Sequence, residues 1–226
     1  MGFRETFAHI TQPRQALAPF THLRIGGPAE YLVTPRHRQD LVAVVAACTQ
    51  EKIPLRILGV GTNLLVRDEL LPGVVVRMVA DEFTQVSVSG KTVKAGGGAT
   101  LPAMISAACL AGLAGFETLV GITATVGGAL RCNAGDRSGE IADNLLRLEV
   151  LDENGQVRLR EKSDIHFGDH DSDIDDPVIL SVEFALETDT PDSLQNITAS
   201  SAIAVVIGET CATLLPQLHL SVHVVA

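Results

Sequence analysis

A short glycine-containing segment after an apolar run carries the clearest chemical signal in the sequence. The apolar run is Leu55–Leu58, and Gly59, Gly61, Thr62 and Asn63 follow it directly. Two glycines one residue apart leave backbone N–H groups unshielded by any Cβ, so they can form a concave nest of donors for a pyrophosphate. The side chains of Thr62 and Asn63 add further hydrogen-bonding groups. A tight turn between two strands is the alternative interpretation of these residues.

The two best-known phosphate-binding patterns do not fit this segment. In the dinucleotide fingerprint G-x-G-x-x-G the third glycine would fall at Leu64, and a long amphipathic helix would follow. Here Leu64-Leu65-Val66 leads to Arg67-Asp68 and then to Leu71-Pro72-Gly73. The sequence also has no Gly-Lys-Ser or Gly-Lys-Thr of a P-loop. A phosphate site in this segment therefore belongs to another type.

A second glycine-dense segment runs from Gly115 to Gly135 and reads GFETLVGITATVGGALRCNAG. Glycine at this density disfavours an uninterrupted helix or strand. Close approach of the backbone to a bulky ligand is one explanation, and an irregular loop is the other. Farther upstream, Arg24 stands next to a glycine pair, where it either forms a surface ion pair or meets a ligand phosphate.

The acidic segment from His166 to Asp176 invites a metal interpretation, which its spacing rejects. Asp169, Asp171 and Asp173 fit the first three ligand positions of an EF-hand loop. The sixth position requires glycine and is Ile174, and the twelfth requires glutamate and is Leu180. We therefore predict a solvated acidic loop and no metal site.

Composition limits the classes of function. The chain has 226 residues, 46% of them hydrophobic, and a net charge of −10. This charge disfavours nucleic acid as a partner, because phosphates require a basic face. The cysteines are too far apart for a zinc site or a disulfide framework, and we find neither a secretory signal nor a membrane-spanning run. We expect a cytoplasmic protein; the sequence does not predict an oligomeric state.

The elements around these segments are strands and helices in mixed order. Residues 1–20 predict a mixed, loosely held start, and Tyr31–Val33 predicts a strand. Thr34-Pro35 predicts the start of a helix that continues to about Lys52. A hairpin is expected over residues 86–95 and a helix over 101–111, which Gly112 ends. From Leu145 the apolar period becomes two, which predicts an antiparallel unit reaching to Leu186.

Taken together, four ordered motifs resemble the UDP-N-acetylenolpyruvoylglucosamine reductase (MurB) family over roughly residues 20–187. Residues 24–29, RIGGPA, are similar to the family's R-x-G-G-P-A, and residues 58–65, LGVGTNLL, to L-G-x-G-S-N-L-L. Residues 121–129, GITATVGGA, are similar to G-I-P-G-T-V-G-G-A. Asn133-Ala134-Gly135 and Glu140-Ile141 follow in the family's order.

The resemblance implies an α+β fold of the vanillyl-alcohol-oxidase/MurB type with two FAD-binding subdomains. These would occupy residues 20–82 and 83–190, and residues 191–226 would form an atypical tail in place of a substrate-binding domain. The family uses FAD, with NADPH as electron donor, to reduce the enolpyruvyl ether of a UDP-sugar for peptidoglycan synthesis. The cofactor-binding residues implied are Arg24, Gly59, Gly61, Thr62, Asn63, Leu64, Gly121, Thr125, Gly127, Gly128, Asn133 and Ile179.

Several departures from the family pattern predict a weak or inactive enzyme. Thr123 and Ala124 replace the family's proline and glycine, and a Cβ at Ala124 disfavours a positive φ. His170 occupies the frame position of the family's catalytic arginine, whose fixed charge and fork an imidazole does not reproduce. The family's G-S-x-F-K-N-P stretch and late glutamate are absent, and the unusual composition of residues 196–226 suggests a truncation or a frame change. A non-catalytic FAD-binding protein, or an FAD oxidoreductase with another small substrate, remains an alternative.

Overall fold

Strands and short helices alternate along the chain, and the computed structural model describes residues 2–188 and 223–225. The helices are α1 Phe3–Thr6, α2 Arg38–Glu51, α3 Asp81–Thr84, α4 Leu101–Leu110 and α5 Val126–Arg131. The strands are β1 Thr11–Ala16, β2 Pro28–Val33, β3 Leu55–Ile57, β4 Leu64–Val66, β5 Leu71–Val76, β6 Val86–Ser89, β7 Thr92–Gly96, β8 Leu113–Ala114, β9 Gly135–Asp136, β10 Gly139–Glu140, β11 Leu145–Leu151, β12 Val157–Glu161, β13 Phe167–Gly168, β14 Asp171–Ser172, β15 Val178–Ala185, β16 Glu187–Thr188 and β17 His223–Val225. Single 3-10 turns lie at Ala8–Ile10, Ala18–Phe20, Glu117–Leu119, Ile141–Asn144 and Lys162–Asp164.

The first sheet has the strand order β1-β2-β5-β3. Strands β2, β5 and β3 are parallel, and β1 joins the edge in the antiparallel direction. Helix α2 buries its apolar positions Leu41, Val44, Val45 and Cys48 in a core shared with Val74 and Val76 of β5. The carboxyl ends of three parallel strands therefore lie along one edge, where ligands commonly bind in sheets of this kind.

The second sheet has the order β12-β11-β15-β7-β6, and all its neighbouring strands are antiparallel. Helices α4 and α5 contribute to its core, in which Leu101, Met104, Val126 and Leu130 pack with Phe184. Leu151, Val178 and Leu180 of this sheet belong to the same core cluster as Val74 and Val76 of the first. The two sheets thus share one apolar boundary.

Four two-stranded pairs complete the strand pairing, and they are β4–β17, β8–β16, β9–β10 and β13–β14. The pair β4–β17 is parallel, with Leu64 opposite His223. The remaining residues of the predicted tail, 191–222 and 226, lie outside the described part. Within the described ranges, no helix is both long and apolar enough to span a membrane. No cluster of three or more His, Cys, Asp or Glu side chains able to hold a metal ion occurs in those same ranges.

The prediction that residues 1–20 are loosely held is wrong. Helix α1 is followed by β1, which pairs with β2 along most of its length. Phe3, Phe7 and Ile10 are buried in the core beneath the first sheet, and Leu17 is buried in a neighbouring cluster. The apolar residues of this segment are few and stand between polar ones. Phe3, Phe7 and Ile10 are four and three residues apart, which places their side chains on one side of the segment.

The predicted start of α2 is also wrong. Thr34-Pro35 stays outside the helix, and Thr34 donates its backbone N–H to the Ile10 carbonyl at 2.9 Å. His37 is the N-cap, and Asp40 accepts hydrogen bonds from the backbone N–H groups of Arg36 and His37. The carboxylate at the third helical position therefore fixes the start. The predicted hairpin over 86–95, the helix capped by Thr100 and the antiparallel unit from Leu145 are all confirmed.

Candidate functional site

The first glycine-containing segment is a turn that connects β3 to β4 at the carboxyl edge of the first sheet. Gly61 has φ +69°, and a Cβ placed on it would lie 2.2 Å from the Phe20 carbonyl oxygen. Its own carbonyl accepts the backbone N–H of His22 at 3.0 Å. Only glycine satisfies both the conformation and the close approach. The turn between two strands, the alternative interpretation, is therefore present, and the nest of donors stays a prediction.

The second glycine-dense segment contains the short helix α5, which the glycine density disfavoured. Thr125 is the N-cap and accepts the Gly128 N–H at 3.3 Å. Gly127 donates its N–H to the Gly97 carbonyl at 2.9 Å, and Leu101 donates to the Ala124 carbonyl at 3.0 Å. Tertiary hydrogen bonds to the β7–α4 connection hold this helix in spite of its low propensity. Ala124 has no positive φ, so its Cβ imposes no backbone strain.

The two glycine segments contact each other directly. The Thr62 hydroxyl donates to the Thr123 carbonyl at 2.6 Å. A Cβ on Gly59 would lie 2.7 Å from the Thr125 Oγ1. We call Gly59–Asn63 together with Thr123–Gly128 the cradle. One half follows β3 of the first sheet, and the other leads into α5, which packs in the core of the second sheet, so the cradle forms only when both are in place.

Two amide side chains at the cradle have acceptor oxygens without a partner among the described residues. Asn63 places its Nδ2 3.7 Å from the Cys132 Sγ, while its Oδ1 is buried and accepts no hydrogen bond. Asn133 is fully buried with φ +41°, and its Nδ2 donates to the Glu140 carboxylate and to the Gly168 carbonyl at 3.0 Å. Its Oδ1 is likewise buried and unsatisfied. Buried acceptors of this kind require a partner from outside the protein chain, which a bound ligand or water supplies.

The other predicted cofactor-binding residues lie in three settings. Gly121 has φ +90° and no atom within 4 Å of an added Cβ, so its backbone is open to a ligand. Leu64 is partly buried at the start of β4. Ile179 is buried in β15. Its carbonyl lies so close to Gly97 that a Cβ added to Gly97 would be 2.0 Å from the carbonyl oxygen. Because Gly97 also accepts the Gly127 N–H, Ile179 is positioned behind α5.

Arg24 lies on the cradle's periphery. It is exposed, has φ +57°, and donates from Nη1 to the Pro19 carbonyl at 3.1 Å. Its backbone N–H donates to the carbonyl of Thr21, the residue before His22. No contact of its guanidinium with the cradle is present in the described residues.

His170 lies in the turn of the β13–β14 hairpin, Phe167–Ser172. It has φ +53°, and its side chain is 37% exposed, with Asp169 as a charged neighbour at 3.9 Å. Asn133 ties this hairpin to the cradle by its hydrogen bond to the Gly168 carbonyl. The Ser172 hydroxyl adds a hydrogen bond to the Arg131 carbonyl at 2.9 Å. The structure therefore brings the hairpin next to the end of α5, while its turn stays accessible.

Sequence reasoning missed Arg131, which fastens the chain after the hairpin. Its guanidinium donates to the carbonyls of Ile174 at 2.7 Å, Asp176, and Pro177 at 3.3 Å. Burial lowers the pKa of this guanidinium, with the charges of Asp176 and Asp175 opposing the shift. The available signal was an arginine at the end of an otherwise apolar glycine-rich helix.

Arg77 was missed as well. It directly follows β5, and its guanidinium carbon lies 4.2 Å from the centroid of the Phe20 ring. Its Nε is buried without a hydrogen-bond partner, and burial lowers the pKa of the guanidinium. The available signal was a cation that ends the apolar run Val74–Val76. Two cavities of about 350 and 190 Å³ lie away from the cradle, at the N-terminal helix and near Arg38.

Comparisons with known proteins agree with this geometry. A family model described as an FAD binding domain matches residues 29–159, more than half of the chain. The UDP-N-acetylenolpyruvoylglucosamine reductase of Streptococcus pneumoniae strain Hungary19A-6 is 39% identical over 197 residues, which cover 84% of this chain and 65% of that protein. The protein of the same name from strain ATCC 700669 is also 39% identical, with coverage of 84% and 62%. The chain thus spans less than two thirds of the length of these curated relatives.

Solved structures give the same picture. The MurB reductase from Thermus caldophilus superposes with a TM-score of 0.72 and 33% identity, covering 88% of this chain and 70% of that one. The glucose dehydrogenase Phl p 4.0202 superposes with a TM-score of 0.57 at 17% identity, covering 72% and 36%, and supports the fold alone. The predicted α+β FAD-binding fold and FAD as the cofactor are confirmed. The chain belongs to the FAD-binding domain family and is a homologue of the UDP-N-acetylenolpyruvoylglucosamine reductases.

Proposed function

We propose that the protein is a MurB-like flavoprotein of peptidoglycan synthesis that binds FAD in the cradle. The observation that carries this proposal is the pair of buried, unsatisfied amide oxygens on Asn63 and Asn133. One belongs to the first glycine segment, and the other directly follows the C-cap of α5. Leaving either acceptor without a partner costs about 1–3 kcal/mol, so a ligand with donors in this position is favoured.

The cradle offers what a dinucleotide cofactor requires. Gly59, Gly61, Thr62, Asn63 and Leu64 would hold the pyrophosphate through their backbone N–H groups. The free Oδ1 of Asn63 would instead accept a hydroxyl or amine donor of the cofactor. On the other side, the residues proposed to approach the flavin and its linker are Gly121, Thr125, Gly127, Gly128, Asn133 and Ile179. The backbone of Gly121 is open, and the amide oxygens of Asn63 and Asn133 are available as acceptors. Arg24 would add a cation from the periphery.

The chemistry that FAD supplies when bound is hydride transfer, in this family from NADPH and then to the enol-ether double bond of the UDP-sugar. The protein's part is to bind, orient and polarise. For substrate binding we propose His170, which occupies the position of the family arginine. An imidazole offers at most two donors and no planar fork, so it holds a carboxylate less firmly than a guanidinium does. The nucleotide sugar and NADPH are accordingly proposed partners.

A second candidate, a non-catalytic FAD-binding protein, is favoured by the same residue. His170 lies in an exposed turn and has only Asp169 as a charged neighbour within the described residues. Nothing in that turn replaces the fixed positive charge of the family arginine. This candidate keeps the cradle and its cofactor but loses the reaction.

The division into units at 20–82 and 83–190 belongs to the same proposal. The first sheet uses residues 11–76 and the second uses residues 86–185, which supports a boundary near residue 82. The cradle would then lie between the two units, as expected for a cofactor held by both. Residues 191–226 form the remaining proposed segment.

Titration of the purified 226-residue protein with FAD tests the proposal. We expect noncovalent binding at one site per chain, seen as quenching of flavin fluorescence and release of the colour on denaturation. Adding NADPH without oxygen should then bleach the bound flavin if the chain retains its donor site. A protein that stays colourless with excess FAD would refute the proposal. Bound flavin that NADPH does not bleach would favour the non-catalytic candidate.

A further inference from the structure

Arg77 lies at the carboxyl edge of the first sheet, where sheets of this kind commonly bind ligands. It directly follows β5, whose neighbours β2 and β3 are both parallel to it. The Leu58 N–H, at the end of β3 just before Gly59, donates to the Val76 carbonyl at 2.9 Å. Arg77 is therefore opposite the start of the first glycine segment, at the carboxyl edge of three parallel strands.

Its side chain occupies the same side of the sheet as that segment. Val75 packs in a cluster with Leu58, Phe20 and Leu64, whereas Val74 and Val76 pack in a different core. Side chains alternate along a strand, so Arg77 follows Val75 onto the side that carries Phe20. The observed stacking of its guanidinium on the Phe20 ring agrees with this placement. The carbonyl of Phe20 in turn lies against Gly61.

The charge of Arg77 has no counterpart in the described part of the chain. None of the ion pairs there includes Arg77, and its guanidinium makes no hydrogen bond to those residues. An arginine stays protonated in proteins, so burial does not relieve the cost by loss of charge. Partial desolvation without a partner is unfavourable, and stacking on an aromatic ring offsets only part of that cost. A site that keeps such a cation beside a nest of backbone donors is complementary to an anion.

We propose that Arg77 binds the diphosphate group of the dinucleotide held by Gly59–Asn63. The proposal rests on the proposed function, because it assigns a further binding residue to the same FAD site. It also gives Arg77 and Arg24 different roles. The Arg24 guanidinium is exposed and already bonded to the Pro19 carbonyl, whereas the Arg77 guanidinium is partly buried, with an Nε that has no hydrogen-bond partner among the described residues.

Three variants and two probes test this role. Arg77→Met removes the charge but keeps much of the apolar stem, and Arg77→Lys keeps a charge without the fork. Arg4→Met is the matched control, since Arg4 is an exposed arginine near Pro54 and Gly73, at the opposite end of the parallel strands. The probes are FAD, followed by flavin fluorescence, and inorganic pyrophosphate, followed by the melting temperature of the apoprotein.

We expect Arg77→Met to weaken FAD binding about ten- to hundredfold, the usual effect of losing a hydrogen bond to a charged group. Arg77→Lys should recover part of this loss, and Arg4→Met should bind FAD as the wild type does. Pyrophosphate should raise the melting temperature of the wild type and of Arg4→Met but not of Arg77→Met. The Arg77→Met apoprotein itself should melt no lower than the wild type, because an uncompensated cation has been removed.

Unchanged FAD affinity in Arg77→Met would overturn the inference and leave the proposed function standing. A lowered melting temperature together with unchanged affinity would assign Arg77 to stacking on Phe20 alone, which also overturns it. If no variant binds FAD but pyrophosphate still stabilises only proteins with Arg77, the anion site stands and the proposed function fails. A wild type that responds to neither probe refutes both.

Discussion

The cradle and the Phe167–Ser172 hairpin are neighbours that are held by different kinds of interaction. Neutral contacts build the cradle: the Thr62 hydroxyl on the Thr123 carbonyl and backbone bonds such as Gly127 to Gly97. Charged groups secure the hairpin and the chain after it, with Arg131 on three carbonyls and Asp173 at its base. The structure of the cradle depends on glycines at positions with no room for a Cβ. The structure of the hairpin depends on charged side chains.

This difference explains which part of the family pattern the chain retains. The cradle tolerates few substitutions, because any side chain at Gly59 or Gly61 collides with protein atoms. His170 lies in a partly exposed turn and has φ +53°, so a substitution there is limited by the backbone conformation but not by collision with a packed neighbour. The glycines of the cradle therefore match the family pattern, whereas Thr123, Ala124 and the residue proposed for catalysis do not.

The largest effect is expected from destroying the cradle. Gly61→Val combined with Asn63→Ala should abolish FAD binding, because a branched side chain would collide with the Phe20 carbonyl and an acceptor is lost. Equilibrium titration by flavin fluorescence measures the loss. Gly90→Val is the matched control, since Gly90 has φ +57° but an added Cβ meets nothing within 4 Å.

Gly61 and Gly90 both have a positive φ, so valine strains the backbone at either position, but it collides with another residue only at Gly61. The control therefore separates the effect of strain from the effect of collision. We expect Gly90→Val to lose some stability and to keep FAD affinity. If the double variant at the cradle retains wild-type affinity while remaining folded, the pyrophosphate site lies elsewhere and the comparison between cradle and hairpin no longer holds.

The next effect concerns catalysis at the hairpin. We expect the 226-residue chain to reoxidise its reduced flavin with the enolpyruvyl sugar nucleotide at less than about one per second, below the usual range for enzymes. Loss of one preorganised electrostatic group commonly costs a hundred- to thousandfold. His170→Arg alone should not restore turnover, because the 226-residue sequence contains no G-S-x-F-K-N-P stretch, which supplies the proton donor in the family.

Anaerobic stopped-flow absorbance, starting from NADPH-reduced protein, measures this rate. Asp169→Arg serves as the control, since it places a guanidinium one residue away in the same turn. Substrate-dependent reoxidation at one per second or faster in the wild type would mean that other residues perform the chemistry.

A third prediction separates the stability of the hairpin region from cofactor binding. Arg131→Met should lower the free energy of unfolding by about 3 kcal/mol, because three carbonyls lose a charged donor in a largely buried place. Urea denaturation measures this change, and the FAD affinity should fall much less than in the cradle variants. Arg137→Met, which removes an exposed arginine from the nearby β9–β10 turn, should change the free energy of unfolding little.

The sequence was sufficient to predict the parts of the fold that depend on local chemistry. Gly90 between two β-branched runs predicted the β6–β7 hairpin, and Thr100 with Pro102 predicted the start of α4. The four ordered motifs predicted the cofactor and the fold. Each of these depends on residues close together in the chain, where propensity and spacing act directly.

Contacts between distant residues were not predictable in this way. The burial of Phe3 and Phe7 requires α2 and the first sheet as a packing surface, and α5 requires the Gly97 carbonyl to stabilise two consecutive glycines. Arg77 and Arg131 show the same limit at the site. Each is a single cation after apolar residues. Only the tertiary structure shows that Arg131 donates to three carbonyls, whereas the Arg77 Nε has no hydrogen-bond partner in the described part of the chain.

The smallest expected effect is the acid sensitivity of the hairpin base. Asp173 accepts the backbone N–H of His166 at 3.0 Å, and this hydrogen bond, with the His166 ring and Arg160, holds the pKa of the Asp173 carboxyl below its usual value. A carboxyl whose pKa is lower in the folded state stabilises the fold above its usual pKa of about 3.9, and this contribution is lost as the pH falls through the lowered value. Asp173→Asn should therefore speed amide hydrogen exchange in residues 166–173 at pH 7, and the difference from the wild type should shrink below about pH 4. Exchange in residues 59–63 and 123–128 should be the same in both proteins at each pH, since neutral contacts hold the cradle. A difference between wild type and variant that persists undiminished at pH 3, or that extends into the cradle, would show that the two regions are not held independently.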